Sequence, residues 1–255
     1  MNLKTDYKRK NDRLLDQLRP ILIERDFISS ALSSILITFG KTKVLCTATI
    51  ENKSPIWMKN SNQGWVTAEY SMLPGSSNNR VPRESVKGRQ SGRTMEIQRL
   101  IGRSLRASVD LTKLQEKTIT IDCDVLEADG GTRTASITAG CLALFDAIMK
   151  SDGKEIFKVS NYGCLVGAVS VGILNDQTIL DLNYHEDSNC DVDLNVVMNE
   201  NSKFIEIQGT AEKKAFSHDL LNEMLKKAEI GINQLIALQK ELISNPSLKR
   251  VKSED

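Results

Sequence analysis

In Lys117–Lys150, KTITIDCDVLEADGGTRTASITAGCLALFDAIMK, Ile119, Ile121, Cys123 and Val125 alternate with polar residues, the period of a β-strand with one buried face. Residues 135–150 change to the apolar spacing of an amphipathic or buried helix. Between the two lies DGGTRTAS, Asp129–Ser136, a glycine turn joining strand to helix. Two glycines let the backbone come close to a ligand, and Thr132 and Arg133 follow where the helix begins. Free N–H groups, the positive end of a helix dipole, a hydroxyl and a guanidinium make a phosphate or anion site of Gly131, Thr132 and Arg133. The plainer reading is a tight turn with a solvated arginine. The chain has neither G-x-x-x-x-G-K-[ST] nor G-x-G-x-x-G, so the loop is not a nucleotide P-loop and a dinucleotide fold is disfavoured.

Working outward, residues 33–50, SSILITFGKTKVLCTATI, read as two strands around a turn at Gly40-Lys41. Residues 52–92 hold most of the turn formers and read as loops with a short strand near Trp65–Tyr70. From Thr94 to about Leu111 the spacing is helical, with Ile97, Leu100, Ile101 and Leu105 on one stripe and Arg99, Arg103 and Arg106 on another. Residues 163–173, 177–184, 193–198 and 203–208 look like four further strands. A long helix runs from Ser217, its N-cap, to about Ile243. The pattern predicts α+β architecture rather than a doubly wound sheet, as one unit over residues 1–243 and a polar, frayed tail over 244–255.

The 255 residues are 26% charged and 40% hydrophobic, ordinary for a folded soluble chain. No apolar run reaches 18 residues, so a membrane span is not expected. The polar N-terminus, MNLKTDYKRKNDR, lacks the apolar core of a signal peptide, which favours the cytoplasm. Five scattered cysteines without a C-x-x-C pair read as buried reduced thiols, and two histidines are too few for a zinc site or a serine–histidine engine.

Three further segments carry chemistry. GRQSGRT, Gly88–Thr94, is a second glycine-arginine-threonine loop opening onto a helix, and Arg93 with Arg133 could grip one inorganic phosphate from two sides. HEDSNCDVD, His185–Asp193, offers Glu186, Asp187, Asp191 and Asp193; it reads either as a solvated acidic loop or as a Mg²⁺ or Mn²⁺ site that phosphate oxygens complete. One of these carboxylates could instead act as a general acid. From Arg80 to Arg106, seven arginines and Lys87 face only Glu84 and Glu96. Such an excess suits a polyanionic partner or an oligomer interface, the alternative being a salt-bridged helix face.

Together these residues resemble the ribonuclease PH family, the bacterial phosphorolytic 3′→5′ exoribonucleases. The likeness runs from about Arg13 to about Lys240, through RLLDQLRP, FGKTKVLCTATIE, GWVTAEYSMLP, GRQSGRTMEIQRLIGRSLRA, TITIDCDVLEADGGTRTASITAG, VVMNE and IEIQGTAE. It implies a fold of split β-α-β units (a ribosomal-protein-like fold) assembled as a homohexamer, a trimer of dimers. It also implies removal of nucleotides from RNA 3′ ends, above all those of precursor tRNA, by inorganic phosphate, releasing nucleoside diphosphates. The family's phosphate contacts fall on Arg93, Gly131, Thr132 and Arg133, its acidic, metal-placing residues on Asp187 and Asp193, and its RNA-guiding and assembly arginines on Arg80, Arg83 and Arg99. One position departs: Gly75 stands where the family usually has an arginine, which removes one RNA-channel or interface contact. A silent RNA-binding ring subunit and a small-molecule kinase on a related scaffold are the competing readings.

Overall fold

Alternating burial along the strands builds the first of two sheets. The computed structural model describes Arg9, residues 12–152 and residues 158–253; most of the charged N-terminus, and Glu254 and Asp255 of the tail, lie outside the described residues. Strands β1 (Ile21–Arg25), β2 (Ser33–Phe39), β3 (Thr42–Glu51), β4 (Trp65–Met72), β5 (Thr118–Glu127) and β10 (Arg250–Lys252) form a sheet in the order β10-β1-β2-β3-β5-β4. All its pairs are antiparallel except β4 with β5. Phe39 pairs with Thr42, so β2 and β3 are joined by the expected two-residue turn, with Gly40 at φ +56°, a conformation that strains any residue with a Cβ.

After the one-turn helix α1 (Glu84–Lys87), helix α2 (Gly92–Ser108) connects the parallel neighbours β4 and β5 as a β-α-β unit with no strand between them. Its N-cap Ser91 accepts a hydrogen bond from the Thr94 N–H, and Ile97, Leu100, Ile101 and Leu105 are buried as the stripe predicts. Four strands, β6 (Val166–Leu174), β7 (Gln177–Leu180), β8 (Val192–Asn199) and β9 (Phe204–Ala211), make an antiparallel second sheet in the order β7-β6-β8-β9.

Helix α3 (Thr132–Asp152) packs against β2 and β3 of the first sheet and β6 of the second. Residues 134–147 are buried throughout, and Ala135, Ala139, Gly140, Ala143 and Ala147 keep it thin enough for that position. Beyond the end of short β7, α3 also completes β6. Cys141 Sγ accepts from the Val166 N–H, Thr138 Oγ1 accepts from the Ala168 N–H, and Gln239 of α5 (His218–Ser244) donates to the Val166 and Thr138 carbonyls. The edge of a buried strand is thereby paired by side chains. The architecture is α+β, mixed and antiparallel sheets packed with helices, as expected. No helix of the described residues is long and apolar enough to cross a membrane.

Three readings of the sequence need correction. The strand expected over 177–184 ends at Leu180: Asp181 turns the chain at φ +55°, and Asn183 caps a one-turn helix, α4 (Tyr184–Asp187), through a capping box with Glu186. The tail is not wholly frayed, because Arg250–Lys252 pairs with β1 and Val251 is buried. Strand β1 itself was not read from the sequence. Its alternation, ILIER, places Arg25 on the buried face, where its Nε lies 3.1 Å from Asp146 of α3 and its Nη1 donates to the carbonyls of Asn245, Pro246 and Leu248.

A chain ending at Ser247 is expected to lose about 2–3 kcal/mol of unfolding free energy in urea titration, the burial of Val251 and its neighbours. An unchanged midpoint would mean that β10 contributes nothing.

Candidate active site

The glycine turn keeps its place because Gly130 and Gly131 stand at φ +78° and +69°. A Cβ on Gly130 would lie 2.6 Å from the Leu182 carbonyl oxygen and 2.9 Å from the Tyr184 nitrogen. The sequence reading assigned this bareness to ligand approach; at Gly130 it serves contact between the glycine loop and the acidic loop. The Tyr184 N–H donates to Asp129 Oδ1 at 3.3 Å across the same contact. Among the described residues, the backbone N–H groups of Gly130, Gly131, Thr132 and Arg133 have no acceptor, as expected of the open first turn of a helix.

Arg133 is steered by two neighbours: its Nη1 donates to Gln208 Oε1 at 3.0 Å and to Glu96 Oε1 at 3.3 Å, and Gln208 Nε2 donates to Glu96 at 2.7 Å. The anchoring uses one nitrogen and leaves the rest of the guanidinium fork for a ligand. The Thr132 hydroxyl lies 2.9 Å from Tyr70 OH. Burial raises the Tyr70 pKa, so this phenol stays neutral.

The acidic loop divides into groups with different tasks. Glu186 is buried and held bidentately by Arg9, at 2.8 Å through both Nε and Nη2. Asp191 lies 3.9 Å from Lys213 Nζ. Asp187 and Asp193 are the two that remain, and they feel each other. Burial raises the Asp187 pKa while Arg93 and Arg133 oppose the shift; burial and the neighbouring Asp187 push Asp193 up to about 6, against Arg133. Arg93, Arg133, Asp187 and Asp193, drawn from α2, α3, α4 and β8, therefore form one electrostatic cluster.

The cluster can be tested against a divalent cation. Asp193 Oδ1 is buried without a hydrogen-bond partner, and its other oxygen accepts from Asn195 at 3.3 Å. An orphaned carboxylate oxygen beside a second carboxylate fits a hard cation such as Mg²⁺. No three His, Cys, Asp or Glu side chains among the described residues form a metal-ligating group; phosphate oxygens and water would complete the shell.

The arginine stretch is only partly salt-bridged. Arg103 pairs with Glu206 at 3.0 Å, and Arg106 lies over the Trp65 ring at 4.4 Å while donating to the Val66 carbonyl. Among the described residues no carboxylate pairs with Arg80, Arg83, Arg89, Arg93 or Arg99, all of them exposed. Arg83 and Arg89 line a cavity of about 660 Å³ together with Glu69, Asp122 and Asp124. Its lining contains none of Arg93, Arg133, Asp187 and Asp193. Burial raises both Asp122 and Asp124, and Glu69 adds to the shift of Asp122. Gly75 is exposed, with nothing within 4 Å of a Cβ built there, so the backbone would accept the family's arginine.

Sequence reasoning missed Arg19, Asp181, Tyr70, Glu96 and Gln208 as supports of the cluster. Arg19 stands in RLLDQLRP, within the family likeness, but no periodicity distinguishes it from a surface arginine.

Fold and cluster together describe a two-sheet α+β protein in which Arg93 and Arg133 face a pair of carboxylates. The model of the 3′ exoribonuclease family, domain 1, matches residues 17–150, and that of domain 2 matches residues 164–231. The chain belongs to this family, the RNase PH family. Among solved structures, it is similar to rice (Oryza sativa) Rrp46, at 18% identity and a TM-score of 0.72 over 93% of this chain and 99% of that one. An Archaeoglobus fulgidus exosome with RNA bound to the active site matches at 21% identity and 0.76 over 90% and 92%. An archaeal exosome core matches at 20% and 0.70 over 92% and 91%. At these identities the likeness is one of fold.

The raised pKa of Asp193 has a consequence for stability. Between the ordinary carboxylate pKa and about 6 the folded protein binds the extra proton, so stability falls as pH rises through that window, and the loss is complete above it. Asp193→Asn, in buffer free of divalent cations, is expected to be more stable than wild type at pH 8 by about 1–3 kcal/mol and equal to it at pH 3.5. Denaturant titrations at the two pH values check this; a less stable variant at pH 8 would contradict it.

Proposed function

We propose that this protein is a phosphate-dependent 3′→5′ exoribonuclease that trims RNA 3′ ends, those of precursor tRNA foremost, and releases nucleoside diphosphates. The observation that carries this reading is the cluster itself: Arg93, which has no ion pair among the described residues, and the tethered Arg133 act on the Asp187–Asp193 pair, with the N–H groups of Gly131–Arg133 beside Arg133 and without an acceptor among the described residues. Family membership supports the class of reaction, and the RNA bound to the active site of the Archaeoglobus fulgidus exosome supports the class of substrate.

The chemistry follows from charge. The nucleophile is inorganic phosphate and the target is a phosphodiester, so two anions must meet. Arg93, Arg133 and the N–H groups at the start of α3 would bind the attacking phosphate and offset its charge. One oxygen of the hydrogen phosphate then bonds to the terminal phosphorus, the bond from that phosphorus to the 3′-oxygen breaks, and the 3′-oxygen gains a proton in balance with the one that the attacking phosphate loses. The products are a nucleoside diphosphate and an RNA shortened by one nucleotide; the reverse reaction adds a nucleotide and frees phosphate. Mg²⁺ or Mn²⁺ held by Asp187 and Asp193 would neutralise charge on the scissile phosphate and the departing oxygen. No covalent enzyme intermediate is required; positioning and charge supply the rate. Arg80, Arg83 and Arg99 would guide the RNA through its phosphates. Assembly as a homohexamer, a trimer of dimers, is part of the same proposal.

Incubating the protein with a tRNA bearing a 3′ extension, inorganic phosphate and Mg²⁺ is expected to give nucleoside diphosphates and a shortened RNA. Products that are monophosphates, or independent of phosphate, would overturn the proposal. Arg133→Ala and Arg93→Ala are each expected to lower turnover by about 10³-fold or more; near-wild-type turnover at saturating phosphate would remove either residue from the phosphate site. RNA binding is expected to weaken with salt, and Arg80→Ala or Arg83→Ala to flatten the log–log slope by about 0.7 for each lost phosphate contact with single-stranded RNA. A slope unchanged in both variants would move the RNA path elsewhere.

A further inference from the structure

We infer that Arg19 is a positioning residue that aims the peptide N–H groups of the glycine loop at the attacking phosphate; this deepens the proposed function and rests on it. Arg19 lies between β1 and the two loops of the site and is 6% exposed. Its Nε and Nη2 donate to the two oxygens of Asp181 at 3.0 and 2.7 Å, and its own backbone N–H donates to Asp181 Oδ2 at 2.7 Å. The other edge of the guanidinium reaches the glycine loop: Nη1 donates to the Asp129 carbonyl at 2.5 Å and Nη2 to the Gly130 carbonyl at 3.3 Å. Thr42 works alongside, its hydroxyl donating to the Gly130 carbonyl at 2.7 Å and accepting from the Asp129 N–H at 2.8 Å.

Peptide planarity turns these contacts into a directional device. No cis peptide is present among the described residues, and in a trans peptide the N–H points opposite to the C=O. Drawing the Asp129 and Gly130 carbonyls toward Arg19 and Thr42 therefore turns the Gly130 and Gly131 N–H groups the other way. Those N–H groups have no acceptor within the described residues. Residues at φ +78° and +69° could otherwise flip their peptides at small cost, because glycine is nearly indifferent to the sign of φ. A flipped peptide would present a carbonyl oxygen to the phosphate. Arg19 fixes the orientation, and Asp181 fixes Arg19.

Only a guanidinium can hold Asp181 with one edge and two carbonyls with the other. Arg19→Lys keeps the charge facing Asp181 and loses the fork. KM for inorganic phosphate at saturating RNA, KM for RNA at saturating phosphate, and kcat would be measured for wild type, Arg19→Lys and Thr42→Val, with thermal unfolding alongside. The expected result is a phosphate KM raised about 10-fold or more in Arg19→Lys and about 3-fold or more in Thr42→Val, with the RNA KM within about 2-fold of wild type. Thr42→Val reads the same quantity should Arg19→Lys not fold. An unchanged phosphate KM, or a fall in kcat that tracks the unfolded fraction with both KM values constant, would overturn the positioning role while leaving the proposed function intact. A wild-type protein that releases no nucleoside diphosphate would overturn both.

Discussion

A buried guanidinium without a carboxylate is among the costlier things a folded chain can hold, and this protein gathers three around two acids. Arg9, Arg13 and Arg19 surround Asp181 and Glu186 within 3.2 Å. Burial alone would favour the neutral acid at Asp181, yet Arg19 and Arg13 hold its pKa at about 2. Arg13, the more loosely matched cation, is drawn down to about 10 by burial. Removing one partner of such a group strands a charge, at a cost of about 3–5 kcal/mol. The network ties the chain ahead of β1 to the acidic loop and, through Arg19, to the glycine loop, so the geometry of the candidate site depends on it.

Opposed demands meet at Asp187 and Asp193. The two carboxylates are held close to one another and short of other partners, and that closeness costs stability. The orphaned Asp193 Oδ1 is the local sign of that conflict. Twelve residues earlier in the chain the arginine network does the opposite, so Asp181 is more acidic than usual and Asp193 less so. The two aspartates differ in surroundings, not in chemistry.

Elements whose burial follows a regular period were legible in the sequence: β2 and β3, β5, α2, α3 and α5 fall within a few residues of where the spacing put them. Strand β1 was not, because the third inward position of ILIER is Arg25, whose partner Asp146 lies far along the chain and resembles a helix-surface acid until the fold buries it. Strand β10 was missed for a similar reason: RVK has a single apolar residue, and only pairing with β1 gives it a face. The candidate phosphate residues Arg93, Thr132 and Arg133 were legible as local motifs at helix starts. Their supports were not, since Arg19, Tyr70, Glu96 and Gln208 come from four separate segments and act through contacts that no local pattern encodes. The acidic loop was legible in composition only; the structure distinguishes Glu186, consumed by Arg9, from Asp187 and Asp193.

Helix α3 belongs in sequence to the first family segment, yet its Thr138 and Cys141 complete the edge of β6 in the second. The border drawn between the two segments is thus a border in sequence and not in the core. Neither half can bury its own apolar surface or satisfy its own backbone without the other. Unfolding should accordingly be a single all-or-none event, and a gene split between the segments would encode two fragments that become soluble only by finding each other.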